Sequence, residues 1–172
     1  MNIHFVMTLL GRDQPGLVDR VASTVAQHGG NWLESRMARL GGQFAGLLRA
    51  EVPADQESEL LEALRGLQHQ GLAVAIHTEP PPPPIHTTAT SLELLGQDRP
   101  GIIRQLSAAL ARHRVNVEEL ETRCESAPMT GETLFRARAL LHIPSDCDRA
   151  SLQTELERIA ADLMVDLHLD TP

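Results

Sequence analysis

Leu9–Gly16 reads LLGRDQPG, and Leu94–Gly101 reads LLGQDRPG, the same eight-residue corner met again 85 positions later. At that offset Gly11, Asp13, Pro15 and Gly16 fall on Gly96, Asp98, Pro100 and Gly101. Farther on, AQHGGN ending at Asn31 falls on ARHRVN ending at Asn116. Val52-Pro53 then matches Ile143-Pro144 at an offset of 91, so the second copy carries about six additional residues before that point. A chain of 172 residues built this way reads as two small domains of one design.

Working outward from the first corner, Ile3, Phe5, Met7 and Leu9 alternate with other residues, as a half-buried strand requires. After the corner, Leu17, Val18, Val21 and Val25 keep helical spacing, and Gly29-Gly30 marks the stop. Trp32 to Arg39 and Phe44 to Val52 flank Gly41-Gly42, a two-residue hairpin signal. A second helix carries Leu60, Leu61, Leu64 and Leu67, and the copy closes on a strand from Leu72 to His77. The second copy repeats the order. Ile102, Ile103, Leu106 and Leu110 take the first helix, and Phe135, Ala137, Ala139, Leu141 and Ile143 alternate. Leu152, Leu156, Ile159 and Leu163 take the second helix, and Val165, Leu167 and Leu169 the last strand. The predicted fold is α+β: two ferredoxin-like βαββαβ units in tandem, each an antiparallel four-stranded sheet under two helices.

The predicted domains are residues 1–79 and 86–172, joined by a Pro-rich linker at 80–85 that contains Pro80 to Pro84. Five consecutive prolines favour polyproline II, a semi-rigid spacer of roughly 15 Å. The reading as a docking ligand has no basic flank to support it.

The 15 basic and 23 acidic side chains leave a formal charge of −8, which opposes binding to phosphate backbones. The only aromatic residues are Phe5, Phe44, Phe135 and Trp32, so platforms for stacking bases are missing as well. No direct nucleic-acid contact is expected. Cys124 and Cys147 form no CxxC and no zinc-ligand spacing. The opening MNIHFVMTLLG lacks a basic start and has a mid-chain counterpart, so it reads as a strand and not as a signal peptide. No run of about 18 apolar residues suggests a membrane span. A cytoplasmic protein is expected.

The corner sits where the first strand hands over to the first helix. Asp13 and Asp98 suit a helix cap, and Pro15 and Pro100 suit the first turn, where a missing amide costs nothing. Gly16 and Gly101 keep the helix start bare, so a ligand carboxylate could approach the N-terminal amides. An aspartate not used as a cap would suit an ammonium, and the two charges together describe an amino-acid zwitterion. Asn31 and Asn116 each open the strand after that helix. A helix of about 14 residues holds its ends roughly 20 Å apart, so corner and asparagine of one copy cannot share a small ligand. Two copies packed about a pseudo-twofold would pair Asp13 with Asn116 and Asp98 with Asn31. The plainer alternative is a helix cap with no ligand and an asparagine satisfying a turn.

A strand, then G-x-D-x-P-G, a helix, and an Asn eighteen residues after the Asp resembles the ACT domain, a regulatory module of amino-acid metabolism. In one ACT-containing dehydrogenase, an asparagine in that corner and another opening the second strand bind serine across a domain interface. Asp13 and Asp98 fall on the first of these positions, Asn31 and Asn116 on the second. Two ACT copies filling the chain with no enzyme attached resemble ACT-type transcriptional repressors. That resemblance implies a non-enzymatic regulator, a small amino-acid ligand (glycine), and a DNA-binding transcriptional activator as protein partner. It leaves a homodimer open. The alternative is an ACT-type interaction module without ligand binding.

Other chemistry finds little support. The eight histidines form no HxxxH or HExxH pattern, and His28 and His113 occupy matching helix ends, where a cation complements the dipole. No nucleophile with an orienting base is evident, so no catalytic residue, metal or cofactor is expected. The insertion Ser126 to Phe135, around Pro128, Thr130 and Gly131, reads either as a longer hairpin turn or as a lid.

Overall fold

In a computed structural model of the chain, which describes residues 1–78, 87–126 and 131–170, the opening alternation becomes strand β1 (Asn2–Arg12). Phe5, Met7 and Leu9 point to one side of it and are buried. Strand β1 is followed by α1 (Leu17–Gln27), β2 (Asn31–Leu40), β3 (Gln43–Pro53), α2 (Glu57–Gly66), a short 3-10 turn (Leu67–Gln70) and β4 (Leu72–Thr78). The same order returns as β5 (Thr87–Gln97), α3 (Ile102–Arg112), β6 (Asn116–Ser126), β7 (Thr133–Pro144), α4 (Arg149–Leu163) and β8 (Val165–Leu169). The chain divides into two units, Met1–Pro82 and Pro83–Pro172, each with its own apolar core. The proline stretch of the expected linker, and Pro128 and Thr130 of the insertion, lie outside the described residues.

Both units are the expected βαββαβ sandwich. Their sheets are antiparallel throughout, with strand orders β2-β3-β1-β4 and β6-β7-β5-β8. In the first unit Leu48, Ala50 and Val52 of β3 join the β1 residues on the covered face. They meet Leu17, Val21 and Val25 of α1 and Leu60 and Leu64 of α2. Val18 departs from the expected stripe and is 44% exposed. It lies about 100° around the helix from Leu17, beyond the edge of the buried arc. In the second unit Leu152, Leu156, Ile159 and Leu163 of α4 fill the core as their spacing predicts. Asp148 caps that helix, its Oδ1 accepting from the Ser151 amide at 3.1 Å.

The two hairpins differ where the insertion falls. Strands β2 and β3 close at Leu40 opposite Gln43, around Gly41 and Gly42 with φ of 57° and 77°. Two successive positive φ angles define the tight turn that glycine allows at no steric cost. Strands β6 and β7 run out to Ser126 opposite Thr133, so the additional residues lengthen the connection between them. Helices α3 and α4 are tied by Glu155, which takes Arg112 on one carboxylate oxygen and His113 on the other, the latter at 2.9 Å. The Arg112 hydrogen bond is the main reason the Glu155 carboxyl is held below its usual range.

Candidate functional site

Each corner is pinned before it turns. The Asp13 amide donates to the Gly42 carbonyl at 3.0 Å, and the Asp98 amide to the Thr133 carbonyl at 2.9 Å. The tip of the neighbouring hairpin thus fixes where each first helix begins. That helix starts at Leu17 or Ile102, directly after a glycine in the left-handed region: Gly16 at φ 86° and Gly101 at φ 96°. Neither helix has a side-chain cap, so the plainer alternative in which Asp13 and Asp98 serve only as caps does not hold. The physical reason is the left-handed turn at the glycine, which takes the cap position itself and leaves the aspartate three residues ahead of it.

The first helical bonds run from Arg20 to the Gly16 carbonyl and from Gln105 to the Gly101 carbonyl, both 3.0 Å. The amides of Leu17, Val18 and Asp19, and of Ile102, Ile103 and Arg104, precede those donors and have no intrahelical carbonyl. Apart from the adjoining chain, no heavy atom of the described residues lies within 4 Å of where a Cβ would stand on Gly16 or Gly101. The two glycines are themselves exposed and free of side-chain crowding at their Cβ positions. Pro15 and Pro100 sit just ahead of these glycines, on exposed turns.

The aspartate side chains have different company. Asp13 accepts from Nε of Arg39 on β2, with Oδ2 at 2.8 Å. Arg39 stands opposite Phe44 in the β2–β3 register, and the second unit places Cys124 opposite Phe135 at the corresponding point. Cys124 is exposed and hydrogen-bonds with Asp98. Loss of water around its sulfur, and then the charge of Asp98, push the thiol up from its usual value. Sequence reading missed Arg39 and Cys124 as members of the corners. Their common signal is the offset of 85, which carries one onto the other.

Asn31 and Asn116 lie at the far end of each sheet. Asn31 faces Glu51 in register, Glu51 faces His4, and Asp13 follows Arg12 opposite Gln43. Eight residues of strand separate His4 from Arg12, which is about 27 Å. Corner and asparagine of one unit therefore cannot bracket one small ligand, as the sequence spacing implies.

Each asparagine also has its own surroundings. Nδ2 of Asn31 donates to Glu51 at 3.3 Å. Hydrogen bonds from Asn2 and then Asn31, with the nearby His4, hold the Glu51 carboxyl below its usual range. Asn116 stands opposite His142, whose Nε2 pairs with Glu118. Of the other residues considered, His28 bonds the Thr24 carbonyl through Nδ1 at 2.8 Å, and Cys147 packs against the second core. No group of three or more potential metal-binding side chains occurs among the described residues, and no helix among them is long and apolar enough to cross a membrane.

The fold and its paired corners define a class. The ACT-domain pattern matches residues 4–77 and again 90–138, and the chain belongs to the ACT-domain family, with two such domains in tandem. It resembles the glycine cleavage system transcriptional repressor of Escherichia coli (strain K12), to which it is 26% identical over 162 residues, 93% of this chain and 85% of that one. A crystal structure of a protein of unknown function from Galdieria sulphuraria aligns with a TM-score of 0.85 at 29% identity, over 99% of this chain and 98% of that one. A candidate glycine cleavage system transcriptional repressor aligns at 0.68 and 23% identity, over 99% and 97%, a likeness of fold.

Proposed function

We propose that this chain is a non-enzymatic regulator that senses a small amino acid, glycine in the first place, and represses glycine cleavage genes through a DNA-binding activator protein. The observation that carries the ligand reading is the pair of uncapped helix starts behind Gly16 and Gly101, each beside an aspartate. Amides aimed outward at the positive end of a helix suit a carboxylate, and a nearby carboxylate suits an ammonium. Asp13, Pro15, Gly16 and Asn31, with Asp98, Pro100, Gly101 and Asn116, are the residues we assign to ligand binding. The relative from Escherichia coli supports the regulatory reading. The charge of −8 supports an output carried by a protein partner in place of direct DNA contact.

A second reading is favoured by one observation. Asp13 is already engaged by Arg39, as it would be in an interaction module that needs no ligand. Calorimetry with glycine separates the two. Glycine has five heavy atoms, and about −1.5 kcal/mol per atom sets a ceiling near −7.5 kcal/mol, so the expected Kd is micromolar at best. At ten times that Kd the ligand should stabilise the chain by about 1.4 kcal/mol per site, visible as a rise in Tm. No heat and no thermal shift with glycine, serine or alanine at tens of millimolar would establish the ligand-free module.

The partner is tested in a native lysate. The chain alone should leave promoter DNA unshifted at physiological salt, while a pull-down should recover a DNA-binding activator whose yield changes with millimolar glycine. Ligand biases such a complex only through different affinities for its bound and free states. Recovery of no transcription factor in either condition would remove the activator from the reading.

A further inference from the structure

We propose that the two corners are unequal, and that Arg39 makes the first the carboxylate-accepting site while Cys124 makes the second a poor one. The inference rests on the reading that the corners bind an amino acid, and assigns its specificity. Arg39 spends one of its five N–H donors on Asp13, at 2.8 Å, and its side chain is 70% exposed. The ion pair offsets the charge of Asp13, and the guanidinium keeps its other N–H donors on an exposed side chain. A guanidinium can take a carboxylate through two parallel bonds, so this corner offers a ligand paired donors without the repulsion of a bare aspartate.

The second corner lacks that arrangement. The register that brings Arg39 to Asp13 brings Cys124 to Asp98. A thiol supplies no positive charge and one weak donor. Arg99 follows Asp98 in the chain, so the cation of this corner lies on the loop itself and not on the strand beside the aspartate. A carboxylate arriving at this corner meets Asp98 as a like charge with no guanidinium across the sheet to offset it. Between partly exposed charges, that difference is expected to weaken binding about tenfold or more relative to the first corner.

The test uses the full chain, with glycine as titrant in calorimetry and the Gly16 and Gly101 amides followed by NMR. The expected stoichiometry is one per chain, with the Gly16 amide moving and the Gly101 amide still at the same concentration. Arg39→Gln should weaken binding about tenfold or more with an unchanged circular dichroism spectrum, since the side chain is exposed. Cys124→Arg should add a second site and move the Gly101 amide, a gain that a merely structural ion pair would not produce. Two equal sites in the unaltered chain, or unchanged affinity in Arg39→Gln, would overturn the inequality and leave the sensor reading standing. Absence of any glycine binding to the unaltered chain would overturn both.

Discussion

Leu64→Ala is expected to lower the stability of the first unit by about 2–5 kcal/mol, the cost of deleting a buried isopropyl group from a core that relaxes only partly. Leu64 is fully buried on α2 and belongs to the same core as Leu60 and the β-sheet residues Met7, Leu9 and Leu48. A unit of about 80 residues has a modest core, and typical domains are stable by about 5–15 kcal/mol, so this one change removes a large share. Trp32, the only tryptophan, packs against that core and reports on it. Urea titration followed by its fluorescence should show an earlier midpoint with a similar slope. A midpoint within error of the parent chain would mean that α2 contributes little to the first core.

Gly96→Val should be comparably severe in the second unit, for the opposite physical reason. Gly96 of β5 stands opposite Val165 of β8, and a Cβ there would lie 2.4 Å from Val165 Cγ1 and 2.9 Å from its Cα. No rotamer of Val165 relieves a clash with its own backbone, so the strands must separate. Overpacking of this kind costs about 3 kcal/mol. Val165→Ala in the same chain removes the nearest methyl and should return part of the loss, a coupling that a double-mutant cycle measures. A cost under about 0.5 kcal/mol for Gly96→Val would show that β8 can lift away freely. The matching position in the first unit is Gly11, where a Cβ would meet the Gly71 carbonyl at 2.7 Å. The first glycine of the repeated corner therefore serves strand packing. The last, Gly16 or Gly101, serves the left-handed turn into the helix.

That division within one motif shows how far the sequence could be read. Repetition at an offset of 85 made Gly11, Gly16, Gly96 and Gly101 equally prominent, and nothing local distinguished a glycine needed for close approach from one needed for positive φ. The alternative of an aspartate cap stood open for a similar reason. Asp followed by Pro and Gly is a plausible cap by composition, but the left-handed glycine hands the cap position to itself. Arg39 and Cys124 were not linked to the corners because each lies 26 residues from its aspartate along the chain. Only the strand order, which inserts β3 between β1 and β2, brings them to the same corner.

By itself the sequence determined the two units, their βαββαβ order and nearly all of their buried faces. Those properties follow from spacings of two and of three to four residues, which act within a single strand or helix and need no knowledge of neighbours. Tertiary structure alone decided which side chains meet at a corner, because cross-strand register couples residues that no local pattern links. It gave Asp13 a guanidinium and Asp98 a thiol. Two corners written almost identically in the chain thereby acquired different electrostatics, since the local charge is set by what lies across the sheet and not by the motif alone.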